Sequence, residues 1–173
     1  MADEKKQGQK TVARDLVRGG VSQPLVRSGT SQLLIYVLDV SPSMTKAKLD
    51  ELSAAALTLH STLNAVENRG AFHVSIVLYA SQAKVTLSPT PTADVRPEEF
   101  ALTPNSYGDG TNLTEGLKKA LEVLDGARGT RTDWAKPVVL LMSDGQDTTR
   151  ISPEPTATAV KMHADLLCVG FGS

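Results

Sequence analysis

The chain has 173 residues, 40% of them hydrophobic, with 18 Lys plus Arg against 19 Asp plus Glu and a formal net charge of −1. That length and apolar share support one core, with little room for a second domain. Near-neutrality removes any overall electrostatic reason to bind nucleic acid or acidic lipid, local basic patches aside, and points to a protein or an ion as partner.

Residues 1–30 mix Lys5, Lys6, Lys10, Arg14, Arg18 and Arg27 with glycines and polar groups and offer little to bury. They read either as a flexible or peripheral tail or as a basic docking arm, with Val21, Leu25 and Val26 laid against the sheet of a domain at 31–173. Leu33 to Ser43, Leu-Leu-Ile-Tyr-Val-Leu-Asp-Val-Ser-Pro-Ser, is an apolar run that ends in a carboxylate and two hydroxyls. It predicts a strand covered on both faces, stopped near Asp39 because Pro42 lacks an N–H and restricts the residue before it. Leu49, Leu52, Ala56, Leu59, Leu63 and Val66 then recur at steps of three and four. That spacing marks one face of a helix, capped by Ser43 or Thr45 and ended by Arg69-Gly70.

Phe72, Val74, Ile76 and Leu78 alternate with less apolar neighbours, and Ala83, Val85 and Leu87 alternate with Lys84 and Thr86. The two runs predict a hairpin whose second strand lies at a solvated edge. Residues 88–110 hold Pro89, Pro91, Pro97 and Pro104, with one helical turn at Pro97 to Phe100, and connections this long tend to be functional or mobile. The stretch closes on Gly108-Asp109-Gly110-Thr111-Asn112, whose glycines allow close backbone approach. A helix follows that buries Leu113, Leu117, Ala120, Leu121 and Leu124, with Thr111 at or near its N-cap.

Pro137 to Ser143 is a second fully apolar strand, again ending in an acid, Asp144, followed by Gly145. Ser152 to His163 is weakly helical, and Asp165 to Phe171 is a last strand. Cys168 is the one cysteine, so no intrachain disulfide is possible, and its Leu-Leu-Cys-Val setting predicts an inert buried thiol. No apolar run approaches the ~18 residues of a membrane span, and the amino end lacks the apolar segment of a signal peptide, so a cytoplasmic setting is expected. The order of elements predicts an α/β fold: a doubly wound, mostly parallel sheet with one antiparallel edge strand and helices on both faces. Crossover handedness then brings Asp39, Thr111 and Asp144 to one rim.

Three hydroxyls and two carboxylates at one rim, with no histidine or cysteine in the motifs, make a hard-oxygen site suited to Mg²⁺ or Mn²⁺ rather than zinc or copper. Taken singly, each piece has a plainer role: Ser43 and Thr111 as N-caps, Asp144-Gly145 as a turn. Jointly, Asp39-Val-Ser41-Pro-Ser43-Met44, then Gly110-Thr111-Asn112-Leu113, then Ser143-Asp144-Gly145 resembles the von Willebrand factor type A (vWA) family and its metal-ion-dependent adhesion site. The likeness spans about residue 33 to the end.

The resemblance implies a Rossmann-like sheet and a non-enzymatic module that binds another protein's carboxylate through a divalent cation. It gives Asp39, Ser41, Ser43, Thr111 and Asp144 the five metal-ligand positions, the hydroxyls touching the ion and one or both acids acting through water. Position 42, often glycine in the family, is proline here, and the family's usual further helix and strand after the fifth core strand are absent from this sequence. The chain also resembles small intracellular bacterial members associated with tellurite resistance and with kinase–phosphatase modules, which implies a partner in stress or signalling assemblies.

An enzyme is the competing reading. Asp39 at a strand end is similar to the nucleophile of haloacid-dehalogenase-type, Mg²⁺-dependent phosphohydrolases, but their second acid two residues on is Ser41 here, so no general acid is evident. Gly108-Asp109-Gly110 lacks the third glycine of a dinucleotide loop. No G-x-S-x-G elbow is present, and His60, His73 and His163 read as packing or surface groups. Asp109 and Asp147 read either as solvated loop acids or as added negative potential beside the ion, and Trp134 either as an exposed anchor for a partner or as a cover for the start of the next strand.

Overall fold

A computed structural model describes residues 30–104, 107–130, 133–145 and 147–171. The docking arm with Val21, Leu25 and Val26 lies outside the described residues. The chain runs β1 (Gln32–Asp39), α1 (Lys46–Leu63), β2 (Phe72–Tyr79), β3 (Ala83–Pro91), α2 (Leu113–Thr130), β4 (Val138–Ser143), α3 (Glu154–Lys161) and β5 (Asp165–Gly170). The strands form one sheet in the order β3-β2-β1-β4-β5. β1 is central and parallel to both β2 and β4, β5 is parallel to β4, and β3 alone runs antiparallel, against β2.

The continuous apolar run of β1 follows from this placement. Leu34, Tyr36 and Leu38 pack with Leu49, Leu52 and Ala56 of α1 on one face. Leu33, Ile35 and Val37 pack with Leu117, Ala120 and Leu124 of α2 on the other. Neither face meets water, so neither carries polar side chains. From β1 the chain steps to β2 on one side and later returns to β4 on the other. The loops leaving the carboxyl ends of β1 and β4 therefore diverge, opening a crevice of the kind where α/β sheets bind ligands.

Several expectations are corrected at element ends. α1 stops at Leu63 rather than at Arg69-Gly70; a 3-10 turn, Val66–Asn68, follows. Val66 is 79% exposed instead of joining the buried stripe. His60 takes part in that stripe, its ring centroid 5.3 Å from that of Phe100. Burial there lowers its pKa, so the neutral imidazole is favoured. Gly70 still adopts a positive φ, +78°, but in the turn into β2. The proline-rich connection is partly ordered by extension of β3 to Pro91 and by a 3-10 turn at Pro97–Phe100 that buries Phe100.

Trp134 covers the start of the next strand: its Nε1 donates to the Ala127 carbonyl at 3.0 Å and its ring meets His73 edge-on at 5.0 Å. Cys168 is exposed, not buried. β5 lies at the outer margin of the sheet, where the eight-residue α3 packs Val160 against the core. Leu167 and Val169 are left 54% and 39% exposed.

Candidate metal centre

β1 delivers Asp39 to the crevice with no exposed surface, and three donors hold its carboxylate. The Ser41 amide donates to Oδ1 at 2.9 Å. On Oδ2, the Ser143 hydroxyl donates at 2.6 Å and the Tyr79 phenol at 3.3 Å. Burial, and then the neighbouring Asp39 charge, hold the Tyr79 phenol well above its ordinary pKa, so it stays protonated and able to donate. These bonds fix both oxygens of Asp39 while satisfying a charge taken fully out of water.

The loop after β1 turns back on itself around Pro42, with the Met44 amide bonded to the Ser41 carbonyl. This sets the Ser41 and Ser43 hydroxyls 3.0 Å apart, and Ser43 Oγ donates to Asp144 Oδ1 at 3.2 Å. Ser43 is thereby spared the capping role, which falls to Thr45: its Oγ1 accepts the Lys48 amide at 3.4 Å. Thr111 stands near the cap of α2, as expected, rather than at it. Asn112 Oδ1 accepts the Glu115 amide at 3.3 Å instead, and Thr111 sits buried one residue earlier.

Thr111 is positioned through Thr148, whose Oγ1 accepts the Thr111 amide at 2.9 Å while its own amide bonds the Thr111 carbonyl at 3.0 Å. Gly108, with φ +101°, would press a Cβ into Ser81, so the close approach expected of this loop is real there. Thr111, Ser143 and Asp144 line one cavity of about 330 Å³, whose other walls include Leu113, Leu141 and Val169.

The structure thus joins Asp39, Ser41, Ser43 and Asp144 in one hydrogen-bonded cluster, with Ser143 bonded to its Asp39 end, and places Thr111 on the same cavity as Asp144. Ser143 accepts the Gly145 amide at 3.0 Å while donating to Asp39, which ties the two strand ends together. Among the described residues no three His, Cys, Asp or Glu side chains gather as a metal cluster; here hydroxyls complete a set with only two acids.

Three participants, Tyr79, Thr148 and Lys48, escaped the sequence reading. Tyr79 and Thr148 reach the site from strand and loop positions with no local signature. Asp147 is the exposed loop acid expected, and its Oδ2 also accepts the Leu113 amide at 3.1 Å at the start of α2. Lys48 Nζ lies 3.0 Å from Asp144 Oδ2 and 3.4 Å from the Ser43 carbonyl. A lysine in the first turn of a helix that has no acid there opposes the helix dipole, a local oddity that does not name Asp144 as its partner.

A family model described as von Willebrand factor type A domain matches residues 34–173. The chain belongs to this family. Among curated relatives, inter-alpha-trypsin inhibitor heavy chain H1 of Mesocricetus auratus is 28% identical over 123 residues, which cover 68% of this chain and 13% of that protein. The vWA chain therefore spans a small part of that relative's length.

Among solved structures, proximal thread matrix protein 1 from the mussel byssus superposes with a TM-score of 0.68 at 20% identity over 83% of this chain and 38% of that one. A second structure of the same mussel protein, with a zinc-occupied MIDAS motif, gives 0.67 at 20% identity over the same 83% and 38%. An aerotolerance-related membrane protein from Bacteroides fragilis gives 0.63 at 16% identity over 82% of this chain and 68% of that one. At these identities the structural likeness is one of fold. The expected Rossmann-like vWA sheet, with one antiparallel edge and helices on both faces, is the one observed.

Proposed function

We propose that this vWA domain is a non-enzymatic interaction module that binds a divalent cation, Mg²⁺ or Mn²⁺, and through it an acidic residue of another protein. The observation that carries this reading is the hydroxyl–carboxylate cluster of Ser41, Ser43 and Asp144, closed by a buried Asp39 whose two oxygens are held by donors. The donor set fits a hard cation, being all oxygen. A positive group, the Lys48 ammonium, already stands against Asp144 as a cation would.

In this reading Ser41, Ser43 and Thr111 hold the ion, while Asp39 and Asp144 supply negative charge directly or through water. The bound ion supplies positive charge that neutral hydroxyls do not cancel, and a partner's carboxylate completes the coordination. Ser143, Tyr79 and Thr148 act one step back: they fix the orientation of Asp39 and the loop of Thr111. The apolar walls at Leu113, Leu141 and Val169 and the loop through Asp109 shape which carboxylate-bearing segment fits.

The phosphohydrolase alternative needs Asp39 as an attacking group. A carboxylate with no exposed surface and a donor on each oxygen is poorly placed to attack, and no acid stands two residues on to protonate a leaving group. The setting we propose is the reducing cytoplasm, in stress or signalling assemblies such as a kinase–phosphatase module. An exposed unpaired thiol at Cys168 supports it.

The test is differential scanning fluorimetry with Mn²⁺ or EDTA, alongside selection of displayed peptides in Mg²⁺ or EDTA. Stabilisation by metal, lost in a Ser41→Ala, Thr111→Ala double variant, together with metal-dependent enrichment of Asp- or Glu-bearing peptides, is the expected result. Peptides retained equally in EDTA would end the adhesion reading. Turnover of a generic phosphate ester abolished by Asp39→Asn would install the enzyme in its place.

A further inference from the structure

We propose that Lys48 is a tethered counter-ion, an ammonium carried by the chain itself that occupies Asp144 until a divalent cation expels it. The inference rests on the metal-site reading above and adds to it a built-in competitor that sets how much free metal the site requires.

The geometry singles out this lysine. Its Nζ is 3.0 Å from Asp144 Oδ2 and 3.4 Å from the Ser43 carbonyl, so it bridges two of the five candidate ligand residues from outside. The pair is sheltered: the Lys48 side chain is 26% exposed and that of Asp144 1%. The neighbouring Lys46–Asp50 pair, at 85% and 64%, is a solvated surface contact whose two charges are screened. Charges removed from water in this way interact more strongly with each other and with any third charge brought beside them.

Lys48 also stands where its own helix disfavours it. The first turn of α1 holds no acid but does hold Lys46 and Lys48, at the end where the helix dipole repels cations. Asp144 offsets that repulsion across the crevice. A divalent cation seated among Ser41, Ser43 and Asp144 removes the offset and adds a repulsion of its own. The flexible four-carbon stem lets the ammonium swing to solvent while its methylenes stay on the surface. Metal binding and the Lys48–Asp144 contact are then mutually exclusive, and the affinity for metal is lowered by the strength of the contact it must break.

The experiment measures Mn²⁺ binding to the full chain by electron paramagnetic resonance of the free ion, at fixed salt and pH, for wild type, Lys48→Met and Lys48→Arg. Circular dichroism confirms that each is folded. Methionine keeps most of the stem and removes the charge, so Lys48→Met is expected to bind Mn²⁺ roughly tenfold more tightly. Lys48→Arg, which keeps the charge and can pair in a bidentate manner, binds no better than wild type.

In parallel, acetylation of lysines by an N-hydroxysuccinimide ester is followed by mass spectrometry. Mn²⁺ speeds modification of Lys48 several-fold and leaves Lys46 unchanged. Equal or weaker Mn²⁺ binding by Lys48→Met, or Lys48 labelling indifferent to Mn²⁺, overturns the proposal while leaving the metal site standing. Failure of wild type and Lys48→Met alike to bind Mn²⁺ overturns the metal site and this inference with it.

Discussion

β1 and β5 are written in nearly the same letters and live in opposite surroundings. Gln32–Asp39 sits between two strands and two helices, and from Leu33 to Leu38 no residue exceeds 7% exposure. Asp165–Gly170 is as apolar in its centre, yet it pairs with β4 at the sheet margin and leaves Leu167, Cys168 and Val169 open to solvent. An apolar run therefore states that a segment can be buried, and its place in the sheet decides whether it is. The chemistry follows the same division. A carboxylate at the end of β1 is held with no exposed surface by three donors, an environment that the margin does not provide.

The largest expected effect breaks this comparison most directly if it fails. Ile35→Ala removes a side chain with no exposed surface from between β1 and α2 and is expected to cost about 4 kcal/mol, transfer and cavity contributions together. Leu167→Ala, at a residue 54% exposed, is expected to change stability by less than about 0.5 kcal/mol. Urea denaturation of the two variants gives both numbers. A Leu167 cost approaching that of Ile35 would mean that the β5 face is covered in solution and that the contrast between the strands is false.

The same contrast explains what could be read from the sequence. β1 and β4 were legible because strands buried on both faces leave an unbroken apolar record, and Asp39, Ser41, Ser43 and Asp144 were legible because they follow those records directly. The exposure of Cys168 was not legible, since Leu-Leu-Cys-Val contains nothing about which elements cover it. Lys48 and Thr148 were missed for another reason. Their partners lie 96 and 37 residues away in the chain, so that no local pattern joins them. Thr111 stood between these cases: its segment was recognised by resemblance and placed at or near the cap of α2, while nothing local decided that the neighbouring Asn112 is the residue whose side chain takes that role.

A smaller effect sharpens the comparison by showing that exposure and importance separate when the contact is a hydrogen bond rather than apolar area. Asp147 is exposed, but its Oδ2 accepts the Leu113 amide at 3.1 Å and its Oδ1 accepts the Thr149 amide at 2.6 Å. It lends a negative charge and an acceptor to the start of α2 from a loop after β4. Asp147→Ala is expected to cost about 1 kcal/mol in urea denaturation. Asp147→Asn, which keeps the acceptor and loses the charge, is expected to cost about half of that. Because α2 begins just after Thr111, hydrogen exchange at the first amides of the helix should rise in the alanine variant before global stability changes much.

The smallest effect on stability comes with the clearest chemical signature. Cys168 is an exposed thiol on a strand whose neighbours Leu167 and Val169 are also open. Cys168→Ser is therefore expected to shift stability by less than about 0.5 kcal/mol, because among the described residues the sulfur belongs to neither packed core cluster and is exposed. The native protein is expected to react with an aromatic disulfide reagent at a rate close to that of the urea-unfolded chain, since access and not unfolding limits the reaction. A thiol that reacts only as fast as the protein unfolds would put β5 in the same surroundings as β1. The outer margin of the sheet would then be a covered surface, and the cavity walled by Val169 would be closed on that side.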